Sequence, residues 1–245
     1  MNFKTLIKNE FLDGKNWFDW TFLACGLLLQ CAATIFGFVK GSPESLILII
    51  SGFAGVFSVI LCSQGKISSY VFGYVQLLTC VFGFSIPNHL HAETLENTMY
   101  FFTMFYGMFV WAKNYRKDAK TESIEIKSKK LGIKGNIITA IIFIVMTVAC
   151  WIFLKNVPVF GALDSQPFMD SLTSVPAYIA QFFMVLGYRE QYIYWFILDS
   201  CSIILAIRAG SWVMTAQFIF WTLNCFYAGY RWWKSSNSED YQLID

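Results

Sequence analysis

Apolar residues in this chain come in long runs broken by short polar turns, a pattern that predicts membrane-crossing helices rather than the narrow stripes of a soluble fold. Runs long enough for a crossing, which takes ~17–25 residues, are Trp17 to Val39, Glu44 to Ser63, Ser68 to Ile86, Glu96 to Ala112, Asn136 to Leu154, Phe168 to Leu186, Tyr192 to Arg208 and Ser211 to Trp233. The turns between them are short, as expected of antiparallel neighbours in one bundle. The expected fold is therefore an all-α polytopic membrane protein with eight transmembrane helices.

Composition agrees with the pattern. Of the 245 residues 56% are hydrophobic and 14% charged, against about 25% charged in ordinary soluble domains, and the mean hydropathy is +0.51. No soluble domain fits between the runs, so the chemistry must lie within the membrane.

Charge sets the expected orientation. The longest connection, 113–134, holds Lys113, Arg116, Lys117, Lys120, Lys127, Lys129, Lys130 and Lys134. Positively charged loops stay in the cytoplasm. With this loop inside and eight crossings, Lys40, Lys155 and Arg208 are the basic residues left outside, and both termini are cytoplasmic. The loop reads as a topology signal lying against anionic lipid. It interleaves Asp118, Glu122 and Glu125 and offers no aromatic platform, so no nucleic-acid partner is expected. The first run is too long for a cleavable signal peptide. Cys25, Cys31, Cys62, Cys80, Cys150, Cys201 and Cys225 all fall inside apolar runs without paired spacing, and read as small hydrophobes rather than disulfides or metal ligands.

The runs also repeat. Phe105, Tyr106, Trp111 and Lys113 at the end of the fourth run match Phe226, Tyr227, Trp232 and Lys234 at the end of the eighth. Phe72 and Gln76 lie over Trp195 and Asp199 with a small gap, and Ser51-Gly52 falls near Val175-Pro176. The chain thus divides into an extra N-terminal helix (1–40), a three-helix unit (44–112), the basic loop (113–134), a linker helix (136–154), a second three-helix unit (168–234) and a cytoplasmic tail (235–245). A single linker crossing makes the two units parallel repeats about an axis along the membrane normal. That is the architecture of SWEET-type carriers, whose substrate sits between the units.

Within the seventh run, Tyr192, Trp195 and Asp199 stand at i, i+3 and i+7, placing two rings and a carboxylate on one helix face. Asp199 reads as the lone charge deep in an apolar run, and such a residue usually faces a bundle interior and marks a substrate or ion path. In the eighth run Gln217, Trp221 and Asn224 make a second stripe at i, i+4 and i+7. The corresponding positions of the first unit are Glu96, Tyr100 and Thr103, and Gln76 is the amide of the third run. Tyr106, Trp111, Tyr227, Trp232 and Trp233 are expected to be interface anchors.

The stretch 65–73 (Gly-Lys-Ile-Ser-Ser-Tyr-Val-Phe-Gly), the Trp-rich seventh run and the Tyr-Gly and Trp-Lys endings resemble the PnuC-type vitamin transporters over about Glu44 to Lys234. In the seventh run that family tends to show Trp, two residues, Trp, three residues, Asn; here Tyr192 stands for the first Trp, Trp195 keeps the second and Asp199 replaces the Asn. The resemblance implies uptake of nicotinamide riboside across the bacterial cytoplasmic (inner) membrane, trapping by phosphorylation in the cytoplasm, and supply of pyridine nucleotide synthesis. Relatives carrying thiamine or riboflavin share the scaffold, so another vitamin, or a sugar on SWEET-like lines, stays open. The expected substrate-binding residues are Gln76, Tyr100, Tyr192, Trp195, Asp199, Gln217, Trp221 and Asn224.

Aromatic faces attract a pyridinium ring, and the lack of a mid-depth Lys or Arg or of a glycine-rich phosphate cradle favours the nucleoside over its phosphate. The expected mechanism is rocking of one unit against the other, with Pro176 and the Gly52 region as hinges. A retinal protein would need a Lys deep in the last run, which has none. An intramembrane enzyme would need a nucleophile and base or a metal set, and His89 and His91 beside Pro87 read as outer-loop residues. No catalytic residue, cofactor or metal is expected, the remaining partner is membrane lipid, and a homo-oligomer stays open.

Overall fold

The structure is a computed structural model that describes residues 3–118, 124–158, 161, 163–238 and 241–243. Nine helices are present among the described residues: α1 (Phe3–Phe11), α2 (Trp17–Val39), α3 (Leu46–Ser63), α4 (Ser68–Cys80, prolonged by a π-helical turn at Val81–Ser85), α5 (His91–Asn114), α6 (Ile133–Asn156), α7 (Pro167–Leu186), α8 (Gln191–Arg208) and α9 (Trp212–Ser236). Each of the apolar runs is helical. On length and composition, α2, α3 and α6 are the described helices able to cross a membrane. The remaining long helices carry the polar side chains that face the interior, which lowers their hydropathy.

Helix ends follow local chemistry. At α2 the Asn16 carbonyl Oδ1 accepts from the Asp19 N–H at 3.0 Å while Asp19 Oδ2 accepts from the Asn16 N–H at 2.8 Å, so two orphan donors of the first turn are satisfied together. Ser45 and Ser211 accept similarly at the starts of α3 and α9. Helix α7 stops at Gly187, whose φ of +77° is the left-handed cap that only glycine adopts cheaply. There the chain pairs with Lys129, which donates to the Gly187 carbonyl at 2.7 Å.

Packing is reciprocal between the two halves. Helix α3 packs on α4 and on α9, while α7 packs on α8 and on α5, so the first helix of each half joins the last helix of the other. Helix α2 lies outside against α9 and α3, and α6 lies outside against α7. Most of α6 is exposed, including Ile137, Ile138, Ile141, Ile144 and Val145.

The basic connection is more structured than a bare loop. Its strand β1 (Tyr115–Asp118) pairs antiparallel with β2 (Ile124–Ile126) and with β3 (Tyr241–Leu243), in the order β2-β1-β3. Lys120 and Glu122 lie outside the described residues.

Two of the expected interface anchors are core residues instead. Trp111 and Trp232 are 0% and 3% exposed. They pack with Tyr70 and Tyr192, ring centroids 5.1–5.8 Å apart. The Trp111 indole donates to the Met184 carbonyl and that of Trp232 to the Ser63 carbonyl. Each Trp has found a backbone acceptor across the bundle, which a ring at a lipid interface does not need. Tyr106 and Trp233 are exposed, whereas Tyr227 donates to Asp19.

Candidate functional site

Six helices, α3, α4, α5, α7, α8 and α9, enclose a cavity of about 130 Å³, roughly ten times the ~10–15 Å³ a single water needs. Neither α2 nor α6 contributes a lining residue. One end of the cavity meets the packed rings of Tyr70, Trp111, Tyr192 and Trp232. All four sit where α4 and α8 begin or α5 and α9 finish, so they belong to one face of the bundle. Toward the other face Leu48, Phe84, Leu90, Met214 and Phe218 pack together.

Of the residues singled out by sequence, Gln76, Tyr100, Tyr192, Trp195, Asp199, Trp221 and Asn224 line this cavity. Helix α8 presents Trp195 and, one turn on, Asp199. Helix α5 presents Tyr100 opposite, with its ring centroid 6.0 Å from that of Trp195 in an edge contact. The Trp195 indole is held by Gln191 Oε1 at 3.3 Å, and the Trp221 indole donates to the Gly55 carbonyl at 3.3 Å. Gln217 is not a lining residue. It is 0% exposed and its amide lies between α3 and α9, so close that a Cβ on Gly55 would come within 2.9 Å of Nε2.

Asp199 is not the lone acid of the interior. Glu93, Glu96 and Asp170 are buried as well, and Glu93 and Glu96 line the cavity. Glu96 opens the fourth apolar run in the sequence, whereas α5 begins earlier, at His91. Asp170, from α7, accepts the Ala92 and Glu93 N–H groups at 2.8 and 3.1 Å and so caps α5 from the other half. Glu93 Oε1 accepts from the Ser85 hydroxyl at 3.0 Å, at the π-helical turn that ends α4. The lining also includes Asn97, Thr173, Gln181 and Ser202. Gln181 Nε2 donates to the Thr103 hydroxyl at 2.9 Å, joining α7 to α5.

Several polar atoms on this lining have no protein partner: Glu96 Oε2, Asp199 Oδ1, Asn224 Oδ1 and the hydroxyls of Tyr100 and Tyr192. Buried polar groups are normally paired. A cluster of such atoms on one wall, beside aromatic rings, is the composition of a site that hydrogen-bonds a small polar ligand with a flat ring. No lysine or arginine is among the lining residues. Among the described residues no group of His, Cys, Asp and Glu is arranged to hold a metal.

Basic residues concentrate beyond the aromatic end. Lys66, in the turn between α3 and α4, is 0% exposed. Burial pushes its ammonium down from the usual lysine range against the opposing influence of Glu125 and Glu10. Arg231 lies 3.5 Å from Asp19 and 3.6 Å from Glu125. Glu10 of α1 accepts from the Ser68 N–H and the Tyr115 hydroxyl at 2.9 and 3.0 Å. Helix α1, the small sheet and the end of α9 are thus tied across that face by polar contacts.

The chain resembles known proteins along most of its length. The family model described as nicotinamide mononucleotide transporter matches residues 45–234, the part of the chain that forms the cavity. The nicotinamide riboside transporter PnuC of Haemophilus influenzae is 31% identical over 235 residues, covering 96% of this chain and 97% of that protein. The proteins of the same name from Neisseria mucosa and Escherichia coli are 24% and 25% identical, covering 93% and 81% of this chain and 85% and 89% of theirs. A crystal structure of the vitamin B3 transporter PnuC superposes with a TM-score of 0.81 at 24% identity, covering 95% of this chain and 97% of that one. The chain belongs to the nicotinamide mononucleotide transporter family, and is a membrane transporter rather than an enzyme.

Proposed function

We propose that this protein takes up nicotinamide riboside, the unphosphorylated pyridinium nucleoside, across the bacterial cytoplasmic membrane. The observation that carries this reading is the cavity itself: rings of Trp195, Tyr100 and Trp221 for the heterocycle, unpaired oxygens on Asp199, Asn224 and Tyr192 for ribose hydroxyls, and no cation on the lining. The family model is described by the mononucleotide and the curated relatives by the riboside. The lining favours the riboside, because a 5'-phosphate would enter without a partner for its charge. Riboflavin and a sugar bring no positive charge to the carboxylates, whereas the pyridinium of the riboside, like the thiazolium of thiamine, uses both the rings and the acids; between those two the names of the curated relatives favour the riboside.

In this reading the chain crosses the membrane eight times, with both termini in the cytoplasm. The units α3–α5 and α7–α9 are parallel repeats joined by α6, and the reciprocal packing of α3 on α9 and α7 on α5 supports that relation. Alternating access follows from rocking of these units about Pro176 and Gly52, opening in turn the aromatic end and the Leu48–Phe84–Met214 end. The transport mode in this reading is facilitated diffusion, which needs no nucleotide-binding domain and is drawn inward by phosphorylation of the riboside in the cytoplasm.

Calorimetry on the purified protein tests the substrate. The riboside is expected to bind and the mononucleotide to be rejected. An unpaired hydrogen-bonding group costs about 1–3 kcal/mol and a charged group more, so the gap should exceed about tenfold. Asp199→Leu should weaken riboside binding, while Asp199→Asn keeps an acceptor and should retain it if ribose hydrogen bonding dominates. Equal affinity for the two ligands, or unchanged riboside binding in Asp199→Leu, would remove the assignment.

A further inference from the structure

Two pairs of side chains face each other across the cavity with the same chemistry. On α5, Glu96 and Tyr100 stand one turn apart; on α8, Trp195 and Asp199 do the same. The rings meet edge to face between the two helices at 6.0 Å. Because α5 ends and α8 begins at the aromatic face, both carboxyl groups lie one turn from the ring pair toward the Leu48–Phe84 end, one from each half of the bundle, and Asp199 is near enough to act on Glu96 electrostatically.

What separates these two acids from the other buried ones is where their oxygens go. The carboxyl of Asp170 is spent on the backbone of α5 through both oxygens. Glu93 receives the Ser85 hydroxyl and, more weakly, the Cys80 thiol at 3.8 Å. Glu96 is 5% exposed and Asp199 2% exposed; Glu96 lies beside the Ser174 and Tyr100 hydroxyls, yet its Oε2 and Asp199 Oδ1 are each left without a hydrogen bond. The Cys225 thiol, 3.5 Å from Asp199 Oδ2, is a weak donor and leaves that acid undercompensated.

We propose that Glu96 is a specificity-determining residue, acting with Asp199 as a two-carboxylate clamp that selects a ligand carrying one delocalised positive charge on a flat ring. This rests on the riboside reading above and sharpens it. A cation seated against the rings of Tyr100 and Trp195, on the side where both acids lie, meets a carboxyl from each half of the bundle, and the open oxygen of each then gains a partner. Because the acids come from α5 and α8, a bound cation also draws the two halves together. A neutral ligand of the same shape leaves both acids as they were. Aromatic faces already favour a cation, so the mark of the carboxylates is the part of the charge preference that removing a carboxylate abolishes.

The test compares two ligands of nearly equal shape: nicotinamide riboside, a cation, and its reduced dihydropyridine riboside, which is neutral. The wild-type protein is expected to prefer the cation by more than about tenfold. Glu96→Gln keeps the shape and removes the charge, and should lower affinity for the cation about tenfold while changing that for the neutral riboside less than about threefold. Glu96→Asp should restore most of the preference. Equal wild-type affinities for the two ribosides overturn the inference without any variant. So does a Glu96→Gln protein that loses both ligands alike, or neither, since a merely structural role moves both together. Wild-type protein that binds neither riboside removes the substrate reading and this inference with it; wild-type protein that prefers the cation while Glu96→Gln is unchanged removes this inference alone.

Discussion

Asp170 offers the most direct test of how the two halves are joined. Its carboxyl sits on α7, 0% exposed, and accepts the Ala92 and Glu93 N–H groups of the first turn of α5 at 2.8 and 3.1 Å. Helix starts leave such donors without intrahelical partners, and no water-filled surface is at hand to replace the acceptor. Asp170→Ala leaves two buried donors unpaired, each costing about 1–3 kcal/mol, for roughly 2–6 kcal/mol in all. Asp170→Asn keeps one acceptor oxygen and should lose about half of that. For a chain of this size each kcal/mol moves Tm by about 2–4 °C, so the unfolding temperature of the purified protein in detergent should fall by roughly 4–24 °C for Ala and about half as far for Asn. The same joint places Glu93 and Glu96 on the cavity wall, so the Ala variant should also lose riboside affinity at temperatures well below its Tm. An Ala variant melting within 2 °C of the parent, or an Asn variant falling as far as Ala, would show that the two N–H contacts do not hold α5 to α7.

Two further outcomes are expected elsewhere in the molecule. The rings of Trp111 and Trp232 separate the cavity from the face that carries Lys66 and Arg231, so Trp111→Phe combined with Trp232→Phe should speed maleimide labelling of Cys62, which lines the cavity; an unchanged rate would mean that the rings do not close that end. Lys15, in the turn between α1 and α2, has its ammonium pushed down to about 8 by burial first and by Lys66 next, against the opposing pull of Asp19. A group whose folded value lies below its unfolded one near 10.5 binds more protons unfolded between those values, so its contribution makes stability rise as pH goes from about 8 to 10.5. Lys15→Gln should flatten that rise in a pH series of denaturation midpoints, and an unaltered slope would refute it.

The helices were legible because a bilayer leaves the backbone no acceptor but its own. Trp17 to Val39 is bounded from its hydropathy at the same residues as α2, and the structure adds why: the Asn16–Asp19 capping box starts the helix and the chain turns at Lys40-Gly41. What escaped was set by distant neighbours. Helix α1 is nine residues long and joins the rest through Glu10 and its contacts with Ser68 and Tyr115, which no local pattern announces. Strands of three and four residues are too short to show an alternating pattern. Trp111 and Trp232 end their runs just as an interfacial ring would; only the carbonyls of Met184 and Ser63 distinguish a plug from an anchor.

The cavity wall divides along the same line. Tyr192, Trp195 and Asp199, like Trp221 and Asn224, share a face by helical spacing alone, and they do line one cavity. Gln217 shares that azimuth with Trp221 but lies one turn away, where Gly55 lets α3 come close enough to cover its amide. Azimuth follows from spacing, whereas depth depends on which residue of another helix is small. The acids make the point more sharply. Asp170 and Asp199 are both buried carboxyl groups in apolar helices, and composition treats them alike. One meets the backbone of α5 and becomes part of the scaffold; the other keeps an oxygen turned to the cavity beside Trp195. The role of a buried acid in this bundle is therefore a property of what its oxygens meet, and it is on that ground that Glu96, inconspicuous at the head of its run, joins Asp199 as the residue on which charge selection should turn.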